Sequence, residues 1–290
     1  MRNASRYLDR CVESLLQQTY PTGSYEIIIV NNNSTDGSAG LIAKYPPVRL
    51  LSETTQGSYA ARNRGVKAAR GEILAFTDSD CAPAKDWITN IVRPFASPAV
   101  KVVQGRRVFA DDSRILSVLA AYEAEHAAYS LSPEGMGTHF GYTNNMAVRR
   151  ETFERCGPFL AIARGADSVF VDRVVGEFSI DAIRFARDAV IRHLEMTGLA
   201  RWLMKRLIRG RSLQRTRRLR SYRRAAPKKM PLILRRTIEN GNYSAVDRAI
   251  LLMLIAMGTL AFDLGRISCG WKSLKGKSPS TNEDQPIASR

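Results

Sequence analysis

Two carboxylates close a short apolar run, Gly71-Glu72-Ile73-Leu74-Ala75-Phe76-Thr77-Asp78-Ser79-Asp80. Ile73 to Phe76 has the length and composition of a buried strand. If the extended backbone persists beyond it, Asp78 and Asp80 share one face and Ser79 takes the other. Like charges so placed repel unless a cation or a proton intervenes. A hard divalent cation such as Mg²⁺ or Mn²⁺ suits a carboxylate pair, above all when substrate phosphates complete its shell. The expected place is past the carboxyl end of a central strand, where open α/β sheets bind ligands. The plain alternative is a solvated acidic turn.

The elements that would position these acids follow from periodicity. Tyr7, Leu8, Cys11, Val12, Leu15 and Leu16 recur at helical spacing, so Ser5 to Gln18 reads as an amphipathic helix, broken by Pro21 and Gly23. Glu26 to Val30 reads as a buried strand, Asn31 to Asp36 as a polar loop, Val48 to Leu51 as a strand and Gly57 to Ala69 as a helix. Beyond Asp80 a helix is expected over Lys85 to Phe95, a strand over Val100 to Phe109 and a longer helix over Ile115 to Tyr129. Leu131 to Gly141, with three glycines and Pro133, reads as a loop. A strand over Thr143 to Val148 and a short helix over Arg150 to Cys156 come next, then a helix opened by Gly165-Ala166-Asp167. Two short strands, near Ile183 to Phe185 and Ala189 to Ile191, lead to His193. Alternating strands and helices argue for an α/β fold with a Rossmann-like, mostly parallel sheet and flanking helices.

The 290 residues suffice for one large core or two small ones, and 44% hydrophobic content excludes a disordered chain. The net charge of +17 is local: Arg201 to Arg236 holds 15 Lys and Arg and no acid, whereas the other 29 basic and 27 acidic residues nearly cancel. Cys11, Cys81, Cys156 and Cys269 lack metal-ligand spacing and read as reduced residues of a cytosolic compartment.

The order of these signals resembles the family 2 glycosyltransferases of the GT-A fold, over roughly residues 3 to 195. The matching pieces are the Tyr7 to Pro21 helix and turn, Asn31-Asn32-Asn33-Ser34-Thr35-Asp36-Gly37, Ala61-Arg62-Asn63, Asp78-Ser79-Asp80, Asn145-Met146-Ala147-Val148-Arg149-Arg150, Gly165-Ala166-Asp167 and His193. The resemblance implies transfer of a sugar from a nucleotide-sugar donor to an acceptor hydroxyl, with inversion at the anomeric carbon. It also implies a first strand ahead of the opening helix, which this sequence lacks. Where the family usually carries Asp-Asp after its second strand, this chain has Asn31-Asn32; where Glu-Asp is usual, it has Ala166-Asp167.

The resemblance assigns roles. Asp167 would be the general base, although an Asp at a helix start is also an ordinary N-cap. Asp78, Asp80 and His193 would hold Mg or Mn against the leaving diphosphate. Asn31, Asn32, Asp36, Arg62 and Asp78 would contact the donor, and Asn145 would line the acceptor side. Two alternatives compete: a nucleotidyltransferase on a related sheet, and a non-enzymatic nucleic-acid binder suggested by the arginine run. The run lacks a nucleic-acid module, so no nucleic acid is expected.

The expected organisation is a GT-A-like domain over 1–198, an arginine-rich helical segment over 199–240, an apolar helix over 241–270 serving as a membrane anchor, and a flexible tail over 271–290. Trp202, Leu203, Leu207 and Ile208 are compatible with one face beside basic residues, and Ala249 to Phe262 runs 14 residues without charge. That is short for a span, which needs about 20 residues. The expectation is therefore a cytoplasmic protein attached to the membrane surface through its C-terminal region, acting on a glycan or lipid-linked acceptor. A core helix packed on the catalytic domain is the alternative.

Overall fold

The computed structural model describes residues 1–110, 113–135, 140–216, 229–241 and 243–274. Much of the tail expected over 271–290, part of the arginine run, 217–228, and the middle of the expected 131–141 loop lie outside the described residues. The first part of the chain follows its periodicity closely. It runs α1 (Ser5–Leu16), β1 (Ile27–Asn31), α2 (Ser38–Leu41), β2 (Val48–Ser52), α3 (Ser58–Ala68) and β3 (Ile73–Thr77). Then come β4 (Cys81–Pro83), α4 (Trp87–Val92), β5 (Val102–Phe109), α5 (Arg114–Ser130), β6 (Asn145–Arg149), α6 (Arg150–Cys156), α7 (Ala166–Phe178) and β7 (Ile183–His193).

The strands form a five-stranded sheet in the order β3-β6-β5-β7-β4 and a separate parallel pair, β1 and β2. Within the larger sheet β5 and β7 are parallel, whereas β3 with β6, β5 with β6, and β4 with β7 are antiparallel. The α/β class stands, but the sheet is mixed and β3 lies at an edge of it. The repeat within a strand says which residues face the core; it carries no information about partner or direction. Alternate residues enter different cores, as the pleat requires. Val103 and Ala147 pack with Leu8, Trp87 and Ile91 under α1 and α4, while Val102, Met146 and Val148 pack with Phe153, Phe159 and Phe170 under α6 and α7. Both faces of the sheet are therefore covered by helices.

The two short strands expected before His193 are one strand, β7, whose ladder with β5 shifts register between Gly105 and Arg106. The shift leaves the carbonyls of Arg106 and Ala189 facing the Asn145 amide, which donates to them at 2.8 and 2.9 Å. A Cβ on Gly105 would lie 2.3 Å from the Ala189 oxygen, so only glycine fits at this bulge.

The last three helices are α8 (Leu199–Thr216), α9 (Lys229–Asn240) and α10 (Ala245–Leu274). Here α10 is a 30-residue helix, longer than the uncharged stretch suggested. It continues through Asp263 and Arg266, which pair with each other at 3.0 Å, three residues apart on the helix surface. Its Leu251 and Leu254 are fully buried against α5 and α8, and Trp202 of α8 joins Phe109, Leu116, Leu119 and Leu254 in one cluster. Trp202 thus belongs to the core instead of an outward apolar face. The α8–α10 seam is tight: a Cβ on Gly210 would lie 2.0 Å from the Phe262 oxygen, and one on Gly265 would lie 2.0 Å from the Leu207 oxygen. Along the outer side of α10, Val246, Met253, Leu260, Leu264 and Ile267 are exposed. Ala245–Ser268 is long and apolar enough to cross a membrane, by length and composition.

Candidate active site

The extended backbone of β3 stops at Thr77. Asp78 to Asp80 turn, and the Cys81 N–H donates to the Asp78 carbonyl at 3.0 Å. The two carboxylates therefore do not lie along one strand face; the turn aims them at different partners. Asp78 accepts from the Arg62 guanidinium at 2.5 Å. Asp80 is carried toward β7, where the Leu194 N–H donates to its carbonyl at 2.8 Å and its Oδ2 lies 3.7 Å from His193 Nδ1. The β4–β7 ladder fixes this approach, because Cys81 is registered opposite His193.

The electrostatics at this end suit a cation. Burial, with the nearby Asp78 charge, pushes the Asp80 carboxyl up to about 6. Burial, then the Lys205 and Arg107 charges, push His193 down to about 3, so its imidazole is neutral and can ligate. His193 Nδ1 is buried with no hydrogen-bond partner, on the side facing Asp80. Asp80, Cys81 and His193 place ligand atoms within 4.8 Å of one another. The Cys81 thiol is pushed well above its usual range by burial and by Asp80, so it stays protonated, leaving carboxylate and imidazole as the donors. An oxygen–nitrogen donor pair fits a hard or borderline divalent ion such as Mg²⁺ or Mn²⁺. Asp78, turned to Arg62, stands outside that group.

The second end of the site is the start of α7. Gly165 takes a left-handed backbone (φ 86°) and lets the chain enter the helix abruptly. Asp167 sits in the first turn, where its Oδ1 accepts from the Ser168 N–H at 2.8 Å. Tyr59 and the Thr143 backbone favour its charged form, and the Tyr59 hydroxyl accepts from the Gly165 N–H at 3.2 Å. A helix start stabilises a carboxylate, yet here burial outweighs that and raises the Asp167 pKa above the usual carboxylate value. The Phe153, Phe159 and Phe170 rings, with centroids 4.8 to 5.4 Å apart, clamp α7 from behind; such pairs contribute about 0.5–1.5 kcal/mol each beyond their burial. Asn63 fastens α3 to the same loop, donating to the Phe159 carbonyl at 2.8 Å and accepting from its N–H at 3.1 Å. Arg62 links the two ends: it holds Asp78, lies 5.3 Å from the Tyr59 ring centre and feels the Asp167 charge.

Other residues marked by the sequence are spent on the scaffold. Asn145 is fully buried, accepting from Trp87 Nε1 at 2.8 Å and donating to the two bulge carbonyls. It therefore cannot line an acceptor groove, and its motif position reflects repair of the β5–β7 ladder. Asn32 is buried, donates to the Glu53 and Thr55 carbonyls and accepts from the Gly57 N–H, which ties the exit of β1 to the entrance of α3. Asp36 accepts from the Ser5 and Ser38 N–H groups, and these bonds outweigh desolvation and hold its carboxyl down at about 2. Among the described residues Asn31 uses only its oxygen, on the Ser34 N–H at 3.1 Å.

Sequence reasoning missed Tyr59 and Lys205. Lys205 on α8 lies 3.0 Å from His193 Nε2 and 2.9 Å from Glu195. The available signal was spacing: Trp202, Lys205 and Arg206 recur at i, i+3 and i+4, one stripe of a helix, and that stripe faces the protein.

A mixed sheet covered on both faces, with an acid–imidazole group and a half-buried helix-start acid on its ligand side, places the protein in the GT-A class of α/β folds. The chain belongs to glycosyl transferase family 2, whose family model matches residues 1–167. Glycosyltransferase AglE of Haloferax volcanii is 29% identical over 164 residues, 54% of this chain and 53% of that protein. A beta-monoglucosyldiacylglycerol synthase of Nostoc sp. is 26% identical over 172 residues, 54% of this chain and 36% of that protein. The chain thus spans about half, or less, of the length of these relatives. Among solved structures, the mannosyltransferase PcManGT from Pyrobaculum calidifontis, in complex with GDP-Man and Mn²⁺, superposes with a TM-score of 0.57 at 20% identity, covering 95% of this chain and 77% of that one. Glucosyl-3-phosphoglycerate synthase from Mycobacterium tuberculosis, in complex with Mn²⁺, UDP-glucose and phosphoglyceric acid, does so at 0.52 and 19% identity, covering 74% and 76%. These likenesses are to the fold.

Proposed function

We propose that the protein transfers a sugar from a nucleotide-sugar donor to an acceptor hydroxyl with inversion, and that Asp167 is its general base. The observation that carries this reading is the pairing of the two ends: a neutral imidazole with an unpartnered nitrogen beside Asp80, and a half-buried carboxylate with a raised pKa across the Arg62 bridge. Asp80 and His193 would hold a divalent cation, Mg²⁺ or Mn²⁺, which when bound supplies positive charge to the departing diphosphate. Arg62, held by Asp78, adds a fixed positive charge between the two ends, and the Asn31 amide would contact the nucleotide. Asp167 takes the proton of the acceptor hydroxyl as its oxygen bonds to the anomeric carbon. The bond from that carbon to the phosphate oxygen breaks on the opposite face, and the diphosphate leaves with the electron pair. Burial raises the affinity of Asp167 for the proton, which favours its role as acceptor. Family membership favours this reaction over nucleotidyl transfer.

The test is product analysis with Mn²⁺ or Mg²⁺ and a panel of nucleotide sugars, following nucleoside diphosphate release and the anomer formed. Release that is independent of the metal, or retention at the anomeric carbon, would sink the reading.

The exposed stripe Val246, Met253, Leu260, Leu264 and Ile267 supports a membrane surface as the place of work and a lipid-linked or glycan acceptor. Flotation with anionic vesicles checks it: the parent should float, and Leu260→Glu with Leu264→Glu should stay down. Equal flotation of both would remove α10 from the contact.

A further inference from the structure

The segment that leads into β6 is held against the start of α7. A Cβ on Gly141 would lie 2.6 Å from the Asp167 carbonyl oxygen, so the two backbones touch and no side chain fits between them. The Gly141 N–H donates to Ser168 Oγ at 3.1 Å, and the Thr143 backbone favours the charged form of Asp167. The chain then turns, with the Asn145 N–H donating to the Tyr142 carbonyl at 3.4 Å. At the far side of the turn Asn145 is registered opposite Thr77, the residue before Asp78. Asn144 lies between these two fixed points. Consecutive Cα atoms are about 3.8 Å apart, so it stands about 4 Å from the residue paired with Thr77 and within about 12 Å of the one against Asp167.

The fold does not spend the Asn144 side chain. It is 7% exposed, and its Oδ1 is buried with no hydrogen-bond partner. Its amide nitrogen donates to none of the described residues. Asn145 and Asn32, also buried, use both ends of their amides on the chain. Native interiors pair their buried polar groups, and an exception inside a cleft marks a place where a ligand or solvent completes the bond. The terminal torsion of an asparagine is broad, so either end of the amide can turn to that ligand.

We propose that Asn144 binds a ring hydroxyl of the donor sugar. This rests on the transferase reading and names a residue that holds the sugar in that same site. There the diphosphate departs at the Asp80 end and the acceptor hydroxyl arrives at Asp167. The sugar ring must span the interval between them, and Asn144 stands in that interval. A carbohydrate hydroxyl both donates and accepts, and a primary amide offers one acceptor and two donors, so the two groups match. Without ligand the unpaired carbonyl is a cost to the folded chain; a sugar hydroxyl removes that cost on binding.

The experiment uses the full chain with Mn²⁺. Calorimetry titrates UDP-glucose beside UDP, and GDP-mannose beside GDP, into the parent, Asn144→Leu and Asn144→Ala. Leucine keeps the volume of the side chain and alanine removes it, so one variant guards against a packing fault in the other. In both, the nucleotide sugar that the parent binds should weaken about fivefold, the scale of one hydrogen bond. The matching nucleotide should stay within twofold. The ligand-free melting transition of Asn144→Leu should be level or raised, because the substitution removes an unpaired buried carbonyl. A scaffold role predicts the reverse, a lower transition in both variants, and that result overturns the proposal. Nucleotide-sugar affinity within twofold of the parent overturns it as well; a loss of turnover beside it would give Asn144 to the acceptor. Equal loss of nucleotide and nucleotide sugar overturns it by assigning Asn144 to the diphosphate side. So does a parent that binds a nucleotide but neither nucleotide sugar. Failure of the parent to bind UDP or GDP with Mn²⁺ would instead strike the transferase reading.

Discussion

The two ends of the cleft are built by different devices. At the Asp80 end, two strands set the geometry: the β4–β7 ladder registers Cys81 against His193, and the backbone bond from Leu194 to Asp80 fixes the turn. At the Asp167 end, a helix start is aimed by a left-handed glycine and clamped by an aromatic cluster. Burial raises both carboxyl pKa values, but next to different neighbours. Asp80 faces His193 Nδ1, which has no hydrogen-bond partner, whereas Asp167 accepts from the Ser168 N–H and stands near Tyr59. A carboxylate beside a free neutral ligand is suited to a cation. One that accepts from a helix-start N–H, near a guanidinium, is suited to proton transfer.

Breaking the first end should cost most. Asp80→Ala removes a hard oxygen donor from a partly exposed turn without emptying the core. Turnover should fall by about 10³-fold, the scale of several kcal/mol of charge stabilisation, with Mn²⁺ affinity lost in parallel. Manganese titration by electron paramagnetic resonance, beside a thermal melt, separates ligand loss from unfolding; undiminished Mn²⁺ binding would move the cation elsewhere.

The second end should fail differently. Asp167→Asn keeps size and hydrogen bonding but cannot take the proton, so the rate should drop by about 10²–10⁴-fold with nucleotide affinity nearly unchanged. The sign of its pH dependence follows from the raised pKa. The group is the active base only when ionised, so the parent's activity should be lost as pH falls through a value above the ordinary carboxylate range. Asp167→Asn should lack that acid limb. An acid limb surviving in the variant would give the proton to another group.

Asn145 sharpens the contrast between scaffold and chemistry. Asn145→Ala leaves two bulge carbonyls and Trp87 Nε1 without partners in the core. Unsatisfied buried groups cost about 1–3 kcal/mol each, so the melting transition should fall by several degrees or more. The acceptor KM of whatever protein remains folded should hold; a large KM change with a normal melt would return Asn145 to the cleft.

The smallest effect belongs to Lys205. Its ammonium stands beside His193 and acts on Asp80, so it competes with an incoming cation. Lys205→Met should tighten Mn²⁺ binding about fivefold without nucleotide, since one exposed charge contributes about 1 kcal/mol. Calorimetry of metal alone checks it, and weaker binding would make Lys205 a support for His193 instead.

Much of this was legible in the residues. Strand and helix periods located β1, β3, α3, α5 and α6 to within a few positions, because those elements bury one side and the pattern of burial is written along the chain. The motif order pointed to the family, and the structure sets His193 beside Asp80 and Arg62 on Asp78. What the sequence could not determine was which side chains the backbone would consume. Asn145, Asn32 and Asp36 carry the same polar groups as a binding residue. Only the tertiary structure shows their hydrogen bonds spent on a bulge, a loop and two helix starts.

Sheet direction was equally hidden, since a strand's alternation is the same whether its neighbour runs parallel or antiparallel. The C-terminal third was decided by packing. The sequence determined that α8 is basic on one stripe and that α10 is long and apolar. The close approach of the two helices at Gly210 and Gly265 turned that stripe inward. A run of positive charge that reads as a surface feature in one dimension therefore delivers Lys205 to His193 at the Asp80 end of the site. Helical residues four apart share a face, and only the partner helix decides which way that face looks.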